Sequence, residues 1–206
     1  MLDLRKLSRF VLRTKSASSL RPVLKALANG NLCVQIINCT YENHAEQILE
    51  ILNEAILNST ALYDYKPRSI ESMGNWFKVK NEKKFPVIGI IDGKGNLLGF
   101  ASYSTFRAWP AYKYSIEHSL YIHKNHRDKG LGRTLLQKLI VLASEQNYHV
   151  MVGGIDITNI GSITLHQKLG FVHSGTIMQV AFKFGRWLDL GFYQLTLATP
   201  QSPTDG

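Results

Sequence analysis

The sequence predicts an α/β (α+β) architecture, one central, mixed and mostly antiparallel sheet of about seven strands flanked by about four helices. Three observations carry that expectation. Polar and apolar residues alternate from Ser115 to Ile122, with Ile116, Leu120 and Ile122 at even positions and Glu117, Ser119 and Tyr121 at odd ones, the period of a strand with two distinct faces. Two apolar runs, 85–91 and 97–105, flank Asp92-Gly93-Lys94-Gly95-Asn96, a hairpin signature that makes them antiparallel neighbours. Segments of helical spacing separate the strands, and the resulting order, β-α-α-β-β-β-α-β-α-β-β, contains no internal repeat.

Taken in order, a strand over 34–39 opens the domain, and Thr40 caps a helix starting near Asn43 whose apolar face holds Ile48, Leu49, Leu52, Ala55 and Ile56. A polar loop with aromatic residues, 60–67, leads to a second helix over 69–80. Loops of this kind border binding sites, so Tyr63 is a candidate substrate contact, although Tyr63 and Tyr65 equally suit a covering role at the core edge. After the hairpin come a loop with Arg107, Trp109 and Tyr112 and then the strand 115–122. Leu131, Leu135, Leu136, Leu139 and Leu142 recur at helical spacing, which carries a third helix from there to Gln146. A strand over 149–155, a loop at 156–159, a helix over 161–169 and strands over 171–179 and 187–197 complete the domain. A polar tail follows over 199–206.

At 206 residues and 45% apolar content, the chain has material for one domain with a sizeable core, expected over 34–198. The formal charge of +9 suggests a nucleic-acid partner until it is located: residues 1–33 hold seven basic residues against Asp3 alone, which leaves +3 for the rest. A nucleic-acid surface is therefore not expected on the domain. Segment 1–33 admits three readings: a transit peptide, an arm for nucleic acid or a membrane surface, and a poorly ordered, dispensable extension. Asp3 speaks against the first, and the last is preferred. No run is long enough to span a membrane. Cys33 and Cys39 make neither a disulfide framework nor a metal set, so a reduced, cytoplasmic setting is expected. The scattered histidines lack metal-site spacing, and no metal is expected.

The chemistry concentrates between Ser115 and Arg133, where a strand bearing a carboxylate leads into the start of a helix. The first turn of a helix carries backbone N–H groups without intrahelical partners and the positive end of the helix dipole. Gly130 and Gly132 remove Cβ atoms that would hold a phosphate off that backbone, and Arg127, Lys129 and Arg133 add positive charge, so a diphosphate is the fitting guest. Alone, Arg-x-x-Gly-x-Gly is a weak signal. Leu135 stands where a dinucleotide fingerprint needs its third glycine, and no Gly-Lys-Ser/Thr completes a P-loop.

A second run, Asn159-x-x-Ser162-x-x-Leu165-His166-x-Lys168-Leu169-Gly170-Phe171, supplies the context. Together the two runs resemble the GNAT superfamily of N-acetyltransferases, which implies the GNAT fold and acetyl-CoA as acetyl donor. On that resemblance Leu120, Tyr121 and Ile122 pair with the pantetheine arm, Asp128, Lys129, Gly130, Leu131, Gly132 and Arg133 hold the diphosphate, and Asn159 contacts the other side of the cofactor. Residues 111–122, with Tyr112-Lys113-Tyr114-Ser115-Ile116-Glu117-His118, and 184–192, with Phe184-Gly185-Arg186-Trp187-Leu188-Asp189, are similar more narrowly to the phosphinothricin and methionine sulfone/sulfoximine N-acetyltransferase group. That likeness extends over 34–200. It implies Glu117 as catalytic base, His166 at a position where many superfamily members carry a tyrosine acid, a small-molecule amine substrate and a homodimer.

These residue types suit such a reaction. An α-amino group with a pKa of about 8 is mostly protonated near neutral pH and must lose a proton before it attacks a thioester. Glu117, set among apolar strand residues, can have a raised pKa and take that proton directly or through a water. His166 can protonate the leaving thiolate or assist deprotonation. Arg107 and Tyr112 can bind the carboxylate or phosphinate of an acidic substrate, or be ordinary surface and packing residues. Trp187 and Phe192 read as core or dimer interface. The expected activity is acetyl transfer to the α-amino group of a small amino-acid analogue such as phosphinothricin or methionine sulfoximine. The alternatives are another small amine, a peptide N-terminus, or a non-catalytic acyl-CoA-binding module of the same fold.

Overall fold

The structure, a computed structural model, describes residues 24–26 as backbone alone and residues 33–205. In chain order its strands are β1 (Leu24–Ala26), β2 (Cys33–Asn38), β3 (Val87–Ile91), β4 (Leu97–Thr105), β5 (Ser115–Ile122), β6 (Val150–Asp156), β7 (Val172–Lys183) and β8 (Arg186–Thr196). Its helices are α1 (Tyr41–Asn58), α2 (Ile70–Glu82), α3 (Leu131–Glu145) and α4 (Ile160–Lys168). The strands form one sheet in the order β1-β2-β3-β4-β5-β6-β8-β7, antiparallel throughout except for the parallel pair β5 and β6. The seven expected strands and four helices are present. The three-residue β1 is an eighth strand, paired with β2 inside the segment read as a basic extension. The remaining expectations for 1–33 fall outside the described residues.

Local chemistry sets the element ends. Thr40 holds extended backbone and its hydroxyl accepts from Asn43 N–H, so α1 begins at Tyr41. In the β3–β4 turn the Asp92 carboxylate accepts from the N–H groups of Lys94 and Asn96, and Gly95 takes φ 83°. β7 ends four residues further on than its spacing suggests, because Phe184 and Gly185 take φ 51° and 72° and close a two-residue turn directly onto β8.

The sheet divides the core in two. On one face α1 and α2 bury Ile48, Ile51, Leu52, Met73 and Phe77 against Val87, Leu97 and Phe100. On the other, α3 and α4 cover Ile88, Ile90, Leu98, Ile116 and Met151, with Leu131, Leu135, Leu136 and Leu139 of α3 fully buried. The tail is tied to the end of the sheet: Thr199 donates to the Tyr148 carbonyl at 2.6 Å, and Thr204 N–H donates to the Tyr114 hydroxyl at 3.1 Å. Among the described residues, no helix is long and apolar enough to cross a membrane.

Candidate active site

Strands β5 and β6 pair only at Ser115↔Val150, Ile116↔Met151 and Glu117↔Val152. Beyond Glu117 they part, although β5 stays paired to β4 as far as Ile122 and β6 stays paired to β8 as far as Asp156. One edge of β5, from His118 to Ile122, is thereby left without a strand partner, and a cavity of about 490 Å³ opens at the parting. Alternation along β5 gives it two walls. Glu117, Ser119 and Tyr121 face the α1/α2 side, and His118 and Leu120 face α3 and α4. The α1–α2 loop adds Thr60, Ala61, Leu62 and Tyr63, and the β6–α4 region adds Gly154, Asp156, Asn159, Ser162 and His166.

Two glycines of β6 make room for the side chains at the parting. A Cβ on Gly153 would stand 2.8 Å from His118 Nε2 and 3.3 Å from His166 Nε2, whereas one on Gly154 would stand 3.3 Å from Glu117 Oε1. Glu117 and the two histidines therefore flank the opening from opposite faces of the sheet.

The cavity holds two carboxylates in unlike environments. Burial pushes the Glu117 pKa up, with the charge of the Arg107 guanidinium opposing it. Burial also pushes Asp156 up, but hydrogen bonds from Thr60 and Thr158 and the charge of Arg186, 3.2 Å away, bring it below its ordinary value. Asp156 is thus kept ionised while Glu117 is poised to carry a proton at a higher pH than a free carboxyl.

His118 and His166 stack with ring centroids 4.9 Å apart and an Nε2 to Nε2 distance of 2.9 Å. His166 Nδ1 lies 2.7 Å from the Ser162 carbonyl, which can only accept, so the His166 proton sits on Nδ1 and its Nε2 accepts from His118 Nε2–H. His118 Nδ1 is then a buried lone pair without a partner. Burial pushes the His118 pKa down to about 3, helped by His166, and burial also lowers His166, so both rings are neutral near pH 7.

The expected anion site lies past the end of β5. Gly130 is the N-cap of α3 at φ 77°, and nothing stands within 4 Å of where its Cβ would be. Gly132 has a different reason: a Cβ there would meet Leu165 at 3.3 Å and Leu120 at 3.5 Å, so it lets α3 close against β5 and α4. Asp128, Lys129 and Arg133 are exposed around the helix start, whereas the Leu131 side chain is buried in the core and only its backbone can face a ligand. Arg127 is committed to Glu54 of α1, and Lys129 donates to the Asn125 carbonyl.

The other expected residues divide. Tyr63 lines the cavity, and its buried hydroxyl has no partner. Asn159 lines it too, with its amide oxygen capping α4 through Ser162 N–H. Ile122 lies at the far end of the open β5 edge. Arg107 and Tyr112 are not among the lining residues: Arg107 folds back over Phe106, donating to its carbonyl and sitting 4.3 Å from its ring, and Tyr112 packs edge-on against the same ring. Their side chains cover Phe106, and Arg107 reaches Glu117 only through its charge. His118, Asp156 and Arg68, none of them among the residues expected at the site, also line the cavity. The alternation of β5 could have found His118, a histidine on the apolar face. Asp156 and Arg68 carry no periodic signal.

A profile of the acetyltransferase (GNAT) family matches residues 46–171. The L-methionine sulfoximine/L-methionine sulfone acetyltransferase of Pseudomonas aeruginosa is 43% identical over 155 residues, which are 75% of this chain and 90% of that protein. The solved structure of a protein from Acinetobacter baylyi ADP1 is 60% identical with a TM-score of 0.85, over 86% of this chain and 99% of that one. The phosphinothricin acetyltransferase of Sinorhizobium meliloti, solved in complex with acetyl-CoA, is 31% identical with a TM-score of 0.79, over 84% of this chain and 94% of that one.

Proposed function

The chain belongs to the GNAT acetyltransferase family, and from that premise we propose that it acetylates the α-amino group of a small amino-acid analogue of the methionine sulfoximine, methionine sulfone or phosphinothricin type, by direct attack of the amine on acetyl-CoA. The observation that carries this reading is the parting of β5 and β6 just beyond Glu117↔Val152. It supports the reading by leaving an open strand edge directly beyond a base-capable carboxylate, on the strand that leads toward the start of α3.

The residues fit the donor. The open edge offers the backbone of Leu120 to the amides of a pantetheine arm, with the Ile122 carbonyl beyond it accepting from Arg127 Nε at 3.3 Å, and the N–H groups at the start of α3, beside the open space at Gly130, suit a diphosphate. Asn159 flanks the arm from α4. When bound, acetyl-CoA supplies a thioester carbonyl activated toward amines. The amine enters on the wall of Glu117, Tyr63 and Tyr121, where Asp156 draws the ammonium and Glu117, with its raised pKa, takes the proton. His166 has both ring nitrogens engaged, so we assign it the shaping of the opposite wall. Much of the acceleration then comes from holding the two reactants in attack geometry.

A homodimer is proposed with it. Met178, Val180 and Phe182 of β7 and Trp187 of β8 are exposed apolar side chains on one hairpin, a surface that a second copy would cover, and light scattering would report twice the 23.2 kDa chain mass.

The test is free-thiol release from acetyl-CoA with a panel holding methionine sulfoximine, methionine sulfone, phosphinothricin, ordinary amino acids and short peptides. Amine-dependent thiol with the first three supports the reading, and none with any amine sinks it. Glu117→Gln should lower kcat/KM by about 10²- to 10⁴-fold with CoA affinity nearly unchanged.

A further inference from the structure

We propose that Lys183 is a positioning residue for the amine pocket: from the β7–β8 hairpin its ammonium group holds the α1–α2 loop in the place where that loop walls the cavity. The inference rests on the reading that the amine binds beside Glu117.

Lys183 is 4% exposed, an uncommon condition for a lysine. Its Nζ donates to three backbone carbonyls, of Ile56 at 2.7 Å, Ser59 at 2.9 Å and Leu62 at 2.6 Å. Three donors meet three acceptors, so the buried ammonium has no proton left over. The acceptors lie at the end of α1 and in the loop that follows. α1 has no basic residue in its last turn, and its final carbonyls lack intrahelical donors. Lys183 supplies both the missing donors and the positive charge that the C-terminal end of the helix dipole favours.

The same hairpin holds the loop at one further point, where the Tyr65 hydroxyl donates to the Phe182 carbonyl at 2.7 Å. Between these ties lie Thr60, Ala61, Leu62 and Tyr63, four consecutive residues of the cavity lining. The Tyr63 hydroxyl, buried and unpartnered, is aimed from this loop. Nothing in the tripod reaches the start of α3 or the open edge of β5. Loss of Lys183 should therefore loosen the amine side of the site and leave the cofactor side as it was.

The experiment measures KM for methionine sulfoximine and for acetyl-CoA separately by thiol release, with CoA affinity by calorimetry and amide exchange over 59–65. For Lys183→Met, the amine KM should rise about tenfold or more while KM and affinity on the cofactor side stay within about twofold, and exchange over 59–65 should quicken with that of 117–122 unchanged. Lys183→Arg, whose planar fork cannot reproduce a tripod, should recover part of the amine KM. Should Lys183→Met fail to fold, Tyr65→Phe removes one tie alone and should raise the amine KM about two- to fivefold. An unchanged amine KM in a folded variant, or amine and cofactor constants rising together, overturns the proposal. Wild-type enzyme that acetylates no amine refutes the proposed activity instead, and amide exchange still decides whether Lys183 holds the loop.

Discussion

Alanine at Gly153 and alanine at Gly154 add the same methyl group to adjacent positions of β6, and their effects should be of different kinds. At Gly153 the new Cβ would lie 2.8 Å from His118 Nε2, closer than such contacts stand, and 3.3 Å from His166 Nε2. Both rings are buried and stacked, so neither can swing away freely, and relief requires the 2.9 Å bond between them to stretch or break. Overpacking of this kind costs about 1–3 kcal/mol and a lost neutral hydrogen bond about 1 more, which makes about 2–4 kcal/mol together. For a domain of this size that is a fall in Tm of roughly 4–16 °C. At Gly154 the Cβ would lie 3.3 Å from Glu117 Oε1 and 3.3 Å from Leu190, contacts that a displacement of a few tenths of an ångström relieves. Stability should stay within about 1 kcal/mol. On the proposed function the group displaced is the carboxylate that takes the proton, and kcat should fall about tenfold. Calorimetric melting and amine-dependent thiol release check the pair. The same Tm loss in both variants, or a Gly154→Ala enzyme with full kcat, would refute the assignment of the histidine pair and Glu117 to opposite faces of the opening.

Two other perturbations test the electrostatics. Burial raises the Glu117 pKa and Arg107 opposes it, so Arg107→Ala should raise it further. With the ionised carboxylate as the proposed base, the acid limb of the kcat/KM profile should move to higher pH, and a limb that stays put or moves the other way counts against the pairing. Asp128 stands at φ 61° beside the proposed diphosphate site and brings a negative charge to it. Asp128→Gly should tighten CoA by about two- to fivefold at low salt, less at high salt, and calorimetry at two ionic strengths would show either that or its absence.

Much of this arrangement was legible in the residues because it is local. The alternation from Ser115 to Ile122 separates Glu117 from Leu120 as the structure does, and the leucine spacing after Gly130 places the helix start that an anion would meet. The turn at Asp92 to Asn96 follows from an aspartate that caps its own loop. Gly132 has a packing role that its spacing does not disclose, since its crowding by Leu120 and Leu165 is a matter between three elements. What the residues could not disclose is long-range. Where β5 and β6 part depends on how β6 lies against β8, and the tie from Lys183 to Ile56 joins positions 127 apart in the chain. Arg107 has the composition of a substrate ligand, and only its backbone path turns it onto Phe106.

The break between β5 and β6 also bears on how the protein holds together. Among the described residues, three residue pairs and the bonds that His149 and Val150 N–H give to the Tyr114 carbonyl make up the ladder between the half of the sheet built on β1 to β5 and the half built on β6 to β8. A ligand arm laid along the free edge of β5 would behave as a borrowed strand and splice the two halves. Because only the folded chain offers that edge, splicing would add about 2.7 kcal/mol of apparent stability at a ligand concentration one hundred times its Kd. A cell rich in the donor would then keep the enzyme mended along its own seam, and donor scarcity would be felt as fragility as well as lost turnover.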